Sequence, residues 1–226
     1  MTVPLMLVVF DVDGTLVDSQ AHILAAMDAA FAALGRPAPE AQATLGIVGL
    51  SLPVAIRRLV PDASEAEADR LVDAYKTAFQ QQRLTGAGAS PLYPGTRAML
   101  DRLSGDVGLL MGLATGKSRR GLDHILALHG LEQYFVTRQV ADDHPSKPHP
   151  SMLLAALAET GVRAGRAVMV GDTSYDMEMG RAAGMATIGV SWGYHEVGHL
   201  HAAGAGQVVD SMDALGQALS SVLDHV

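Results

Sequence analysis

Residues Leu5 to Phe10 form an unbroken apolar run that stops at Asp11. A strand that is apolar at every position is covered on both faces, the situation of a parallel sheet flanked by helices. Further strand-like segments recur at Val107 to Ala114, Tyr134 to Thr137, Ala167 to Val170, Ala186 to Val190 and Gln207 to Val209, with helical spacing between them. The alternation predicts an α/β chain built on a doubly wound parallel sheet. Such sheets bind ligands outside the carboxyl ends of their strands, so the residues just after these runs are the functional candidates.

Between the first strand and the rest, the pattern changes. Apolar and alanine spacing from Ser19 to Leu34 is helical and closes at Gly35, and further helices follow Ser51 and the capping box Ser64 to Glu67. Gly86, Gly88, Ser90, Pro91, Pro94 and Gly95 break the pattern and mark a linker. The expected division is a core of residues 1–15 and 90–226 with an inserted α-helical cap domain at 16–89.

Three charged features fall after predicted strands or in the loops between them: Asp11-Val12-Asp13-Gly14-Thr15, Lys147-Pro148, and Gly171-Asp172-Thr173 with Asp176. Thr115-Gly116 adds a fourth at the end of the second strand. Hydrolysis of a phosphate monoester is among the slowest uncatalysed reactions and needs several cooperating groups. A carboxylate can attack phosphorus only when the charges of both are offset, which Mg²⁺ on hard oxygen ligands can do. Asp11 and Asp172 supply carboxylates. Asp13, two residues on, is placed to protonate a leaving alcohol and then deprotonate a water. Gly14 permits a tight turn that turns amides toward phosphate. Thr115 offers a hydroxyl, Gly116 an open amide and Lys147 a positive charge. Asp176 lies one helical turn beyond Asp172 and faces the metal through water or Lys147. A calcium loop starting at Asp11 would want glycine and glutamate where Leu16 and His22 stand.

Together these motifs resemble those of haloacid dehalogenase superfamily phosphatases with an inserted helical cap, the subfamily that includes phosphoglycolate phosphatases. The resemblance covers essentially the whole chain and is carried by DVDGTLVDS from Asp11 to Ser19, by Lys147-Pro148 and by GDTSYDM from Gly171 to Met177. It implies a Rossmann-like core and an aspartyl-phosphate mechanism. Asp11 would be nucleophile and Mg²⁺ ligand, Asp13 acid/base with its backbone carbonyl on the metal, and Asp172 the third ligand. Lys147 would be catalytic, Gly14, Thr15, Thr115 and Gly116 phosphate-binding, and Asp176 and Thr173 would stand behind the metal. Dehalogenating and phosphonate-cleaving relatives lack the second aspartate, so Asp13 implies phosphate ester hydrolysis. Phosphoglycolate is the first candidate substrate. A pyrophosphatase or a sugar phosphomutase is the alternative, although Val48 and Leu52 flank Gly49 where mutases carry basic residues.

Composition narrows the partners. A net charge of −8 without any Lys/Arg stripe sets nucleic acid and anionic membranes aside. Leu5 to Phe10 is too short for a signal peptide or a span, which leads to a cytoplasmic expectation, as a monomer or small homo-oligomer. With no cysteine, metal binding must use carboxylate or imidazole. One rival motif exists: His195-Glu196-Val197-Gly198-His199 fits the H-E-x-x-H pattern of zinc peptidases. Gly193 and Gly198 weaken a helix there and no third ligand is evident. A phosphorylatable receiver-like regulator also uses aspartates, a threonine and a lysine, but its acceptor follows a middle strand. Substrate choice should lie in the cap, with the loop Gly46 to Leu52 and the cations Arg57, Arg58, Lys76 and Arg83 as candidates.

Overall fold

The computed structural model describes residues 4–84 and 90–224; Gly86 and Gly88 of the expected linker and the Arg83 side chain lie outside what is described. Strand β1 (Met6–Phe10) is followed by four helices, α1 (Gln20–Ala33), α2 (Ala41–Leu45), α3 (Leu52–Leu59) and α4 (Glu65–Leu84). Strands and helices then alternate: α5 (Thr96–Ser104), β2 (Leu109–Thr115), α6 (Arg119–His129), β3 (Thr137–Val140), α7 (Ser151–Thr160) and β4 (Ala167–Gly171). The chain closes with α8 (Ser174–Ala182), β5 (Ala186–Val190), α9 (Val197–Ala202), β6 (Gln207–Val209) and α10 (Met212–Asp224).

The six strands form one parallel sheet in the order β3-β2-β1-β4-β5-β6. The unbroken apolar run at β1 follows from this position. Val8 and Phe10 enter a core layer with Leu113, Val170 and residues of α5, α6 and α10, while Leu7 and Val9 enter the opposite layer with Met152, Leu153 and Met179. Strand order reverses beside β1, which places the crevice of the sheet at its carboxyl end.

One strand differs from expectation. Glu132–Tyr134 is a 3₁₀ turn, and the strand is Thr137–Val140. Tyr134 and Phe135 are apolar because they anchor the loop in the core. The true strand sits at the sheet edge and carries polar residues, with Thr137 and Gln139 both donating to Glu159.

The inserted helices have a core of their own, joining Met27 and Phe31 of α1, Ile56 of α3 and Leu71 and Val72 of α4. Tyr175 of α8 also inserts into it, so the two packing units share a side chain. Ser64 Oγ accepts from the Glu67 amide at 3.3 Å at the start of α4, as its capping sequence requires. Among the described residues, no helix is long and apolar enough to cross a membrane.

Candidate active site

Asp11 is the first residue past β1, its amide still donating to the Val170 carbonyl at 2.9 Å. Asp172 follows β4 in the same way, and Thr115 ends β2. Three neighbouring strands therefore deliver these side chains to one point. Carboxylate oxygens of Asp11, Asp172 and Asp176 lie within 4.8 Å of one another, all fully buried.

Each carboxylate is held differently. Asp172 Oδ1 accepts from the Thr15 hydroxyl at 2.8 Å, and Oδ2 accepts from the Tyr194 amide at 2.9 Å. Asp176 Oδ1 accepts from Lys147 Nζ at 2.7 Å, while Oδ2 takes the Thr173 amide and hydroxyl at 3.1 and 2.6 Å. Thr173 thereby forms a reciprocal capping box that starts α8. Lys147, only 1 % exposed, also places Nζ 3.0 Å from Asp11 Oδ1. Among the described residues, none lies in hydrogen-bonding geometry to Asp11 Oδ2.

Three buried acids face one buried lysine, and the titration reflects it. Burial pushes the Asp11 carboxyl up to about 7; Lys147 opposes the shift and the charges of Asp176 and Asp13 reinforce it. Asp172 is raised well above the ordinary carboxylate range by burial and by the charges of Asp11 and Asp176. Hard oxygen donors, an excess of negative charge and an unpartnered Asp11 oxygen fit a divalent cation such as Mg²⁺.

Backbone constraints shape the surroundings. Gly14 has φ of +80°, and a Cβ built on it would stand 2.2 Å from Asp172 Oδ2, so only glycine fits. A Cβ at Gly116 would stand 2.6 Å from the Leu50 carbonyl, because the loop between α2 and α3 closes directly over the end of β2. Thr115 Oγ1 accepts from the Lys117 amide at 3.2 Å. The Thr15 hydroxyl, expected on phosphate, donates to Asp172 Oδ1 in this structure.

A cavity of about 480 Å³ opens above this point. Its floor includes Asp11, Asp13, Thr115, Gly116 and Lys117, and its roof is the Ile47–Pro53 loop with parts of α1 and α4. The roof is fastened to the core: the Tyr175 hydroxyl donates to the Gly46 carbonyl at 2.9 Å, and the Ser51 amide donates to Ser146 Oγ at 2.8 Å.

Two contributions escaped the sequence reading. Lys117 Nζ lies 2.8 Å from Asp13 Oδ1 and 5.5 Å from the centre of the Phe79 ring of α4. Its position directly after Thr115-Gly116 is the available signal. The segment after β5 supplies the Tyr194 amide to Asp172 and the Trp192 indole to the Thr15 carbonyl at 3.1 Å. That segment also leaves a strand at its carboxyl end, which marks it by the rule applied elsewhere.

The H-E-x-x-H segment is not a zinc site. His195 precedes α9 rather than lying on it, which destroys the i, i+4 pairing. Its Nδ1 accepts from the Ser174 amide at 3.1 Å, so Nε2 carries the proton and donates to the Gly46 carbonyl at 3.2 Å. Burial holds its pKa below the ordinary value. Both ring nitrogens are occupied in fastening the cap loop, while His199 and His201 are exposed. Of the cap cations, Lys76 lines the cavity, whereas Arg58 lies over the Tyr175 ring.

Residues 8–190 match the family described as haloacid dehalogenase-like hydrolase. The chain is 36% identical over 222 residues to "Probable phosphatase IndB" of Dickeya dadantii, covering 96% of this chain and 94% of the relative. It is 33% identical over 215 residues to the plasmid phosphoglycolate phosphatase of Cupriavidus necator, covering 95% and 93%. Among solved structures, a hydrolase from Pseudomonas syringae superposes with a TM-score of 0.84 at 24% identity, covering 96% of this chain and 98% of that one.

Proposed function

The chain belongs to the haloacid dehalogenase-like hydrolases and is a phosphoric monoester hydrolase; from that premise we propose that it dephosphorylates a small metabolite through a phosphate ester on Asp11, with Mg²⁺ as cofactor. The observation that carries the reading is the buried, unpartnered Asp11 Oδ2 beside the Lys147 ammonium at the floor of the cavity. Relatives named phosphoglycolate phosphatases make phosphoglycolate the reference substrate for any test.

Asp11, Asp172 and the backbone carbonyl of Asp13 would hold the ion, which when bound neutralises phosphate oxygens and favours the ionised form of Asp11. The Asp11 oxygen attacks phosphorus while the bond to the leaving alcohol breaks, and Asp13 gives that oxygen its proton. Asp13 then takes a proton from a water that attacks the same phosphorus. The bond to Asp11 breaks and inorganic phosphate leaves. Lys147 bridges Asp11 and Asp176 throughout, so it fixes the nucleophile and balances part of its charge. Thr115 and the amide of Gly116 are the proposed phosphate contacts; the Gly14 amide, expected on phosphate, donates to the Val17 carbonyl at 2.9 Å and closes the turn instead.

In this reading residues 1–15 and 90–226 do the chemistry and 16–89 cover it and contact the leaving group. The setting is the cytoplasm, where small phosphorylated metabolites reside. A mutase reading is weaker, because Val48 and Leu52 stand beside Gly49 where mutases carry basic residues, and the relatives are named phosphatases. The test is Asp11→Asn, expected to lower turnover at least about a thousandfold with the fold intact. Retention of more activity than that, free of contaminating phosphatase, overturns the assignment.

A further inference from the structure

Resting on the phosphatase reading, we propose that the preferred leaving group is a ring-bearing alcohol with a second anionic group at its far end, rather than a two-carbon acid. Gly46 and Ser51 are hydrogen-bonded to Tyr175, His195 and Ser146 of the core, so the cavity is measured with its roof fastened down. Its volume of about 480 Å³ nevertheless lies in the range that encloses ligands of drug size. A phosphate with two carbons leaves most of it to water.

The walls say what should fill it. Above Asp13 stand Ile23 and Met27 of α1, Ile47 and Leu50 of the roof loop, and Tyr75 and Phe79 of α4. The last two rings are stacked, with centroids 5.8 Å apart and planes 28° from parallel. Glycolate offers these surfaces one methylene and a carboxylate, whereas a ring buries its faces against them.

The mouth has the opposite character. Lys76 of α4 and Arg120 of α6 line the cavity and are exposed to solvent. Among the described residues, neither makes an ion pair. Asp142 is the one acid there outside the catalytic pair, and its Oδ2 already accepts from the Arg119 amide at 2.7 Å. In a chain of net charge −8, two cations left without an ion pair in one cavity lining, one from cap helix α4 and one from core helix α6, suit an anionic ligand group. Phosphate at Asp11, ring along α4 and anion between Lys76 and Arg120 use the whole cavity.

The experiment compares kcat/KM with Mg²⁺ for three alkyl esters: 2-phosphoglycolate, benzyl phosphate and 4-carboxybenzyl phosphate. 4-Carboxybenzyl phosphate is expected to exceed phosphoglycolate at least tenfold, with benzyl phosphate between them. Tyr75→Ala should lower the ratio of either ring ester to phosphoglycolate about tenfold. Lys76→Met with Arg120→Met should bring the two ring esters together. Ratios within one preparation are independent of the fraction that folds. A preference of less than tenfold over phosphoglycolate overturns this inference and leaves the phosphatase reading standing. Failure of the wild type to turn over any of the three esters with Mg²⁺ overturns both.

Discussion

Lys117 Nζ stands 2.8 Å from Asp13 Oδ1, with the side chains only 10% and 11% exposed. The proposed acid/base is thus held by a residue that also reaches the aromatic wall of the cap, at Phe79. Lys117→Met keeps the length of the stem and removes the charge. Asp13 then loses the contact that orients it. The expected result is a fall in kcat of about ten- to a hundredfold, within the range that general acid-base catalysis contributes. Lys117→Arg should recover part of it. Steady-state kinetics on p-nitrophenyl phosphate and an alkyl ester check this, and an unchanged kcat on both makes the contact incidental.

Among the described residues, Lys147 is the one cation that pairs with the buried cluster, through Asp11 and Asp176. Lys147→Met leaves three buried carboxylates facing one another without a counter-charge. Removing one partner of a buried ion pair costs about 3–5 kcal/mol, and urea denaturation in EDTA should show a loss of that order. Mg²⁺ should restore part of the stability by binding only the folded form. Phosphatase activity should fall more than about a thousandfold even with saturating Mg²⁺.

Asp11 gives a pH dependence of defined sign. Burial in the fold pushes its carboxyl up to about 7 from the ordinary 3.8. Between those values the folded state holds a proton that the unfolded state has released, so stability falls as pH rises through this window and levels above it. Metal-free wild type should therefore lose a few kcal/mol between about pH 4 and pH 7 relative to Asp11→Asn, which has no such group. Urea midpoints of both proteins across that range measure the difference. A difference that is flat, or that grows with pH, contradicts the burial argument.

The sheet was legible because it is buried on both faces: β1, β4 and β5 are apolar runs whose ends agree with the structure to within a residue. The edge strand β3 was not, since polar Thr137, Arg138 and Gln139 look like a loop while the buried Tyr134 and Phe135 look like a strand. Within the site, motif residues were found because carboxylates directly after strands are conspicuous. Lys117 was passed over although it directly follows Thr115-Gly116, because nothing in its spacing announces that it meets Asp13. The sequence argued against zinc at His195 but did not reveal what the ring does. Its motif is local, but the Ser174 amide and the Gly46 carbonyl that occupy its ring come from distant segments. Spacing reveals groups that face one another along one element and is blind to those joined by the cap docking on the core.

Thr15 tests whether such an indirect contact matters to the metal. Its hydroxyl is fully buried and donates to Asp172 Oδ1, the carboxylate proposed to complete the Mg²⁺ site. Thr15→Val keeps the shape and removes the donor, leaving Asp172 with the Tyr194 amide alone. Partners that orient metal ligands contribute about ten- to a hundredfold in metal affinity. The variant should thus need about ten to a hundred times more Mg²⁺ for half-maximal activity, while kcat at saturating Mg²⁺ changes little, because Asp11 and Asp13 are untouched. A direct role of the hydroxyl on phosphate predicts the reverse, with kcat or the substrate KM altered and the Mg²⁺ requirement unmoved. Titrating Mg²⁺ at saturating substrate, and then substrate at saturating Mg²⁺, separates the two roles in one protein.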